Sequence, residues 1–109
     1  MPVFIEFRAF SRRHAELLED EEYRALQNAI LKSETRIDLI PVTNGLLKAR
    51  WGGQGKGKRG GIRVIYYHVI DSDRYLMLLI YPKSEKDDLT PDQKKVLRDL
   101  VEKELIKGI

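Results

Sequence analysis

Ile62 to Ile70 and Tyr75 to Pro82 are rich in β-branched and aromatic residues, and only Asp71-Ser72-Asp73-Arg74 lies between them. Such runs suit a pleated, half-buried surface, and a short polar connection turns the chain back on itself. An antiparallel hairpin is therefore predicted. Its apolar surface needs a cover, so the remaining segments have to supply packing partners.

Those segments divide by period. Val3 to Arg8 alternates Val3, Ile5 and Phe7 on one face, which predicts a first strand. Residues 11–18 and 20–33 follow helical spacing, with Asp20 as the expected N-cap and Glu19 to Glu22 placing negative charge at the helix start. Thr43-Asn44-Gly45 marks a turn. Leu46 to Trp51 reads as a strand with Leu46, Lys48 and Arg50 on one face and Leu47, Ala49 and Trp51 on the other. From Thr90, a Thr/Gln capping box (Thr90, Gln93), Pro91 and the apolar set Val96, Leu97, Leu100, Val101 and Leu105 predict a closing helix. The order β-α-α-β-β-β-α predicts an α+β fold, a twisted and mainly antiparallel sheet flanked by helices.

The chain length of 109 residues suits one domain over 1–109. With no cysteine, neither a disulfide framework nor a thiolate metal site can form. The start Met-Pro-Val-Phe-Ile-Glu lacks the basic and apolar regions of a signal peptide, and the longest apolar stretch, Leu76 to Pro82, is too short to cross a membrane. A cytoplasmic protein without a membrane partner is expected.

Charge supplies the functional signal. No acidic residue lies between Asp38 and Asp71, whereas Lys48, Arg50, Lys56, Lys58, Arg59 and Arg63 all do. The rest of the chain holds 14 basic and 17 acidic residues, so a molecule of formal charge +3 has a +6 block at its centre. A concentrated positive field attracts a polyanion, and nucleic acid is the expected one. Six of the eight glycines fall between 52 and 61, where they permit close approach of a phosphate chain.

Competing chemistries fit less well. Gly52, Gly57 and Lys58 match part of a phosphate-loop spacing, but Arg59 replaces the Ser or Thr that would hold magnesium and a strand follows instead of a helix. His14 and His68 have no metal-ligand spacing, so no metal or other cofactor is expected. If the strands holding Lys48 and Arg50 on one side and Arg63 on the other are neighbours, the three cations converge on one face, with Lys56, Lys58 and Arg59 at its rim. Trp51 and Tyr81 are candidate stacking rings for RNA bases.

The segments Gly45-Leu46-Leu47-Lys48-Ala49-Arg50, Lys56-Gly57-Lys58-Arg59-Gly60-Gly61-Ile62-Arg63-Val64-Ile65-Tyr66-Tyr67 and Leu79-Ile80-Tyr81-Pro82-Lys83-Ser84-Glu85-Lys86-Asp87-Asp88-Leu89 resemble the RelE superfamily of bacterial toxins, particularly its HigB-like branch. The resemblance implies a microbial RNase fold and the toxin of a type II toxin–antitoxin pair. It also implies cleavage of mRNA in the A site of the 70S ribosome, without a metal, through Lys and Arg of the central strands and adjoining loops. Lys48, Arg50 and Arg63 match such positions. Ser84 and Thr90 stand where some members carry Arg and Tyr, which leaves Lys83, or a lysine of the 56–59 loop, as substitutes in proton transfer; Lys48 and Lys58 are the candidate bases. The implied partner is an adjacently encoded antitoxin, expected to be of helix-turn-helix type, through which the pair would bind operator DNA. Two alternatives remain open: a ParE-like gyrase inhibitor acting by binding, and a non-catalytic RNA-binding domain.

Overall fold

The computed structural model describes residues 1–52, 61–86 and 88–107. Its element order is β1 (Val3–Glu6), α1 (Arg8–Leu17), α2 (Asp20–Leu31), β2 (Ile37–Leu39), β3 (Leu47–Trp51), β4 (Ile62–Val69), a 3-10 turn (Ile70–Ser72), β5 (Arg74–Pro82) and α3 (Pro91–Ile106). The strands form one five-stranded sheet in the order β1-β5-β4-β3-β2. Every pairing is antiparallel except β1 with β5. The fold is thus α+β with a mainly antiparallel sheet, as the sequence pattern predicts.

The central hairpin forms between β4 and β5, closed by Asp73 in the left-handed region at φ 53°. Aspartate tolerates that conformation better than most residues. Short β2 is an addition to the sequence reading. It has three residues and no sustained alternation, so its pattern gives little strand signal. Element boundaries also shift, two of them for clear local reasons. The first helix starts at Arg8, because Phe7 leaves the strand with an accepting carbonyl that takes the amides of Phe10 and Ser11. Glu19, not Asp20, is the N-cap of α2, and it exchanges capping bonds with Glu22. Thr90 does cap α3, accepting from the Gln93 amide at 3.1 Å while the Gln93 side chain accepts from the Thr90 amide at 2.9 Å.

Helices cover both faces. On the first, Phe10 of α1, Leu18 just after it, and Leu26 and Ile30 of α2 pack on Ala49, Trp51, Val64, Tyr66 and Met77. On the second, Leu97 and Val101 of α3 pack over Ile65, Leu76, Leu78 and Tyr81, with Ile40, Leu46 and Leu89 closing the sides. Each such large apolar side chain contributes about 1.5–3 kcal/mol on burial. Of the predicted α3 stripe, Leu97 and Val101 are buried, whereas Val96, Leu100 and Leu105 stay exposed.

A β-bulge in β5 decides which residues face α3. Ile65 pairs with Leu79 but its neighbour Tyr66 pairs with Met77, so Leu78 is the extra residue. Before the bulge, Tyr75 and Met77 face α1 and α2; after it, Ile80 does. Tyr81 therefore points to the α3 face, a direction that simple alternation from Tyr75 would not give it.

Candidate nucleic-acid interface

Lys48 and Arg50 alternate with Ala49 and Trp51 along β3. Because Ala49 and Trp51 are buried against α1 and α2, the two cations project from the opposite face. Arg63 alternates with Ile62 and Val64 on β4 in the same way. The register sets Arg50 directly opposite Arg63, and Arg63 directly opposite Tyr81 of β5. Lys48 lies opposite Ile65, one step along the same face. One row across three strands is thus Arg50–Arg63–Tyr81, with Lys48 beside it.

The backbone around this row is tied down. Thr35 donates its hydroxyl to the Arg50 carbonyl, and the Arg50 amide donates to the Arg36 carbonyl at 2.9 Å. Gly61, at φ +77°, lets the chain enter β4 against the end of β3; a Cβ there would lie 2.7 Å from the Trp51 carbonyl oxygen. The Gly61 carbonyl in turn accepts from the Lys83 amide at 3.1 Å. Gly45 makes a similar approach at φ +113°, facing the Tyr67 ring where a Cβ would come within 3.0 Å.

The register sets two cationic residues, Arg50 and Arg63, at facing positions, where like charges repel. Arg63 is only 7 % exposed and donates to the Ile62 carbonyl at 3.3 Å. Arg50 is more open, with Asp38 Oδ2 3.6 Å from its Nε. That nitrogen makes no hydrogen bond among the described residues.

The stretch that is free of acid in sequence is not free of acid in space. Asp38 of β2 stands opposite Lys48 and also meets Arg36 at 3.3 Å. Asp88, from the segment between β5 and α3, accepts from Lys48 Nζ at 3.1 Å. That hydrogen bond, helped by the nearby charges of Lys48, Lys94 and Arg50, holds the Asp88 carboxyl below the usual carboxylate range. Lys48 Nζ is thus tied to a carboxylate in this arrangement. Neither Asp38 nor Asp88 was singled out by sequence reasoning. The only signal was strand pairing across a three-residue strand and a loop 40 positions away from Lys48.

The other sequence-derived candidates fall in different places. Trp51 is not brought to this face: it is 9 % exposed and buried among the α1 and α2 side chains, so its ring cannot stack on RNA held at Arg50 and Arg63. Tyr81 does share the face, but at 1 % exposure it is a lining surface and not an open platform. Lys86 Nζ sits 5.2 Å from its ring centroid, within cation–π range. Lys83 lies exposed on the turn after β5. Lys56, Lys58 and Arg59 lie outside the described residues.

The segment carrying Lys83, Lys86 and Asp88 is anchored to α1. Arg13 donates two hydrogen bonds to Glu85, at 2.8 and 2.7 Å. This fork-shaped pair lowers the Glu85 carboxyl and raises the Arg13 guanidinium from their ordinary values. Beside Lys48, Asp38, Ile40, Pro41, Tyr81, Asp88, Leu89 and Lys94 enclose a cleft of about 290 Å³. Among the described residues, no group of three or more His, Cys, Asp or Glu is arranged to hold a metal ion, and no helix is long and apolar enough to cross a membrane.

The five-stranded sheet thus carries Lys48, Arg50 and Arg63 on one face. Residues 3–107 match the family model described as the RelE toxin of the RelE/RelB toxin–antitoxin system. The chain belongs to the RelE toxin family. It is therefore a toxin with a cognate antitoxin, in a family whose general activity is that of an endoribonuclease.

Proposed function

We propose that this protein is a ribosome-dependent, metal-independent endoribonuclease that cuts mRNA in the A site and so stops translation in the cytoplasm. We read it within the HigB-like branch, as one domain over 1–109. The observation that carries the proposal is the opposed pair Arg50 and Arg63, with Lys48 on the same face.

A scissile phosphate seated between the two arginines relieves their mutual repulsion. The RNA 2′-oxygen attacks the adjacent phosphorus, the bond from phosphorus to the 5′-oxygen breaks, and the products are a 2′,3′-cyclic phosphate and a 5′-hydroxyl. Negative charge accumulates on the non-bridging oxygens, where Arg50, Arg63 and Lys48 stabilise it by charge-assisted hydrogen bonds. In this reading Lys58 accepts the 2′ proton and Lys83 returns a proton to the leaving oxygen. Lys56 and Arg59 hold the RNA backbone, and Tyr81 lines the base-side wall. The antitoxin, expected to be a helix-turn-helix protein encoded next door, restrains the toxin and carries the pair to operator DNA.

The test mixes purified protein with translating ribosomes and maps message ends. Cuts inside the A-site codon, absent with Arg63→Ala, are expected. Intact message together with inhibited gyrase supercoiling would replace this reading with the ParE-like one. Salt-dependent RNA binding without cleavage would leave a binding domain.

A further inference from the structure

The chain leaves β5 one register step beyond the row Arg50–Arg63–Tyr81, because Pro82 stands opposite Ile62 and Ile62 opposite Trp51. Local bonds shape this exit. The Lys83 amide donates to the Gly61 carbonyl at 3.1 Å, and the Glu85 amide donates to the Pro82 carbonyl at 3.0 Å. Further along, Asp88 meets Lys48 at 3.1 Å. These contacts bind the turn to the sheet that it has just left.

The contact with α1 is of another kind. Arg13 reaches Glu85 across 72 positions of sequence, and its two terminal nitrogens donate to the two Glu85 oxygens at 2.8 and 2.7 Å. Its Nε donates to Glu16 at 3.1 Å, so every nitrogen of the guanidinium is engaged and its plane is set from α1. Exposed ion pairs usually add little, but a two-pronged arginine–carboxylate pair within a small network is the exception. Both side chains are partly open, at 33 % and 44 %, so the pair adds little to the core and fixes the direction of the turn. We propose that Arg13 is a positioning residue for cleavage: through Glu85 it holds the turn that carries Lys83 against the end of the cationic row. This rests on the endoribonuclease reading, in which Lys83 returns the proton, and deepens it.

The experiment compares wild type, Arg13→Gln, Arg13→Lys and the swap Arg13→Glu with Glu85→Arg. On translating ribosomes, single-turnover cleavage is followed against toxin concentration, with rates normalised to folded protein. Arg13→Gln is expected to lower the saturating rate about tenfold, since a misplaced proton donor slows the chemical step. The half-saturating concentration should change by less than about twofold. Arg13→Lys keeps the charge without the fork and should recover only part of the rate. The swap re-forms the fork with donor and acceptor reversed and should return to within about threefold of wild type. In the free protein, hydrogen exchange of the Lys83 and Glu85 amides should quicken in Arg13→Gln and slow again in the swap. A normalised rate unchanged in Arg13→Gln, or a swap no better than Arg13→Gln, would overturn the positioning role while leaving the nuclease intact. Unchanged amide exchange would overturn the tether whatever the ribosomes show. Message left intact by wild type would overturn the nuclease reading, and with it the part given to Arg13 in cleavage.

Discussion

Arg50 and Arg63 stand directly opposite each other on β3 and β4, on the sheet face that α3 partly covers. Like charges at facing strand positions repel, and the proposed phosphodiester between them would be held by both guanidinium groups. Replacing Arg50 with alanine is therefore expected to lower single-turnover cleavage about a hundredfold. Melting temperature should stay within a few degrees of wild type, because the Arg50 side chain is already 39 % exposed. Single-turnover kinetics beside a thermal melt check both halves.

Trp51 behaves as core. Trp51→Ala is expected to lower unfolding free energy by about 3–5 kcal/mol, whereas Trp51→Phe should cost less and keep cleavage per folded molecule. Denaturant titration and ribosome cleavage of the same samples separate stability from activity.

Gly61 holds the junction between the Gly-rich segment and β4 in a conformation other residues rarely adopt. With a carbonyl oxygen 2.7 Å from where a Cβ would sit, Gly61→Ala is expected to cost about 1–3 kcal/mol. It should also loosen Lys83, whose amide bonds to the Gly61 carbonyl. Urea midpoints and exchange of the Lys83 amide read the two effects.

The acid response follows from Glu85 and Asp88, both held below their usual range in the folded state by Arg13 and Lys48 respectively. The unfolded chain then binds protons more readily than the folded one. The contribution of these pairs is complete above about pH 5 and fades as pH falls through the lowered folded values. Both carboxylates are exposed, so the effect is small. Unfolding curves for the double variant Glu85→Gln with Asp88→Asn should differ from wild type at pH 7, and the difference should shrink as pH falls below the usual carboxylate range.

Particular residues show how far the chain could be read from its letters. The alternation of Leu47, Ala49 and Trp51 against Lys48 and Arg50 survives in β3 because that strand is regular, and the Thr90 cap survives because capping is local chemistry. Tyr81 shows the opposite case. Its orientation depends on an extra residue at Leu78, which leaves no mark on the apolar run Tyr75 to Pro82. Asp38 and Asp88 reach Lys48 only through tertiary pairing, so a stretch that holds no acid in sequence acquires two carboxylates in space. Asp38 was further hidden because β2 is too short to show a period. The roles of Lys56, Lys58 and Arg59 fall on residues outside those described and stand on the proposal alone.

The most direct test maps message ends on translating ribosomes with wild-type protein, Arg50→Ala, Arg63→Lys and the double variant. The expected result is A-site cleavage yielding 2′,3′-cyclic phosphate ends, strongly reduced in each single variant and lost in the double variant while the fold is retained. Wild-type cleavage by the folded double variant would contradict a scissile phosphate seated between the two arginines.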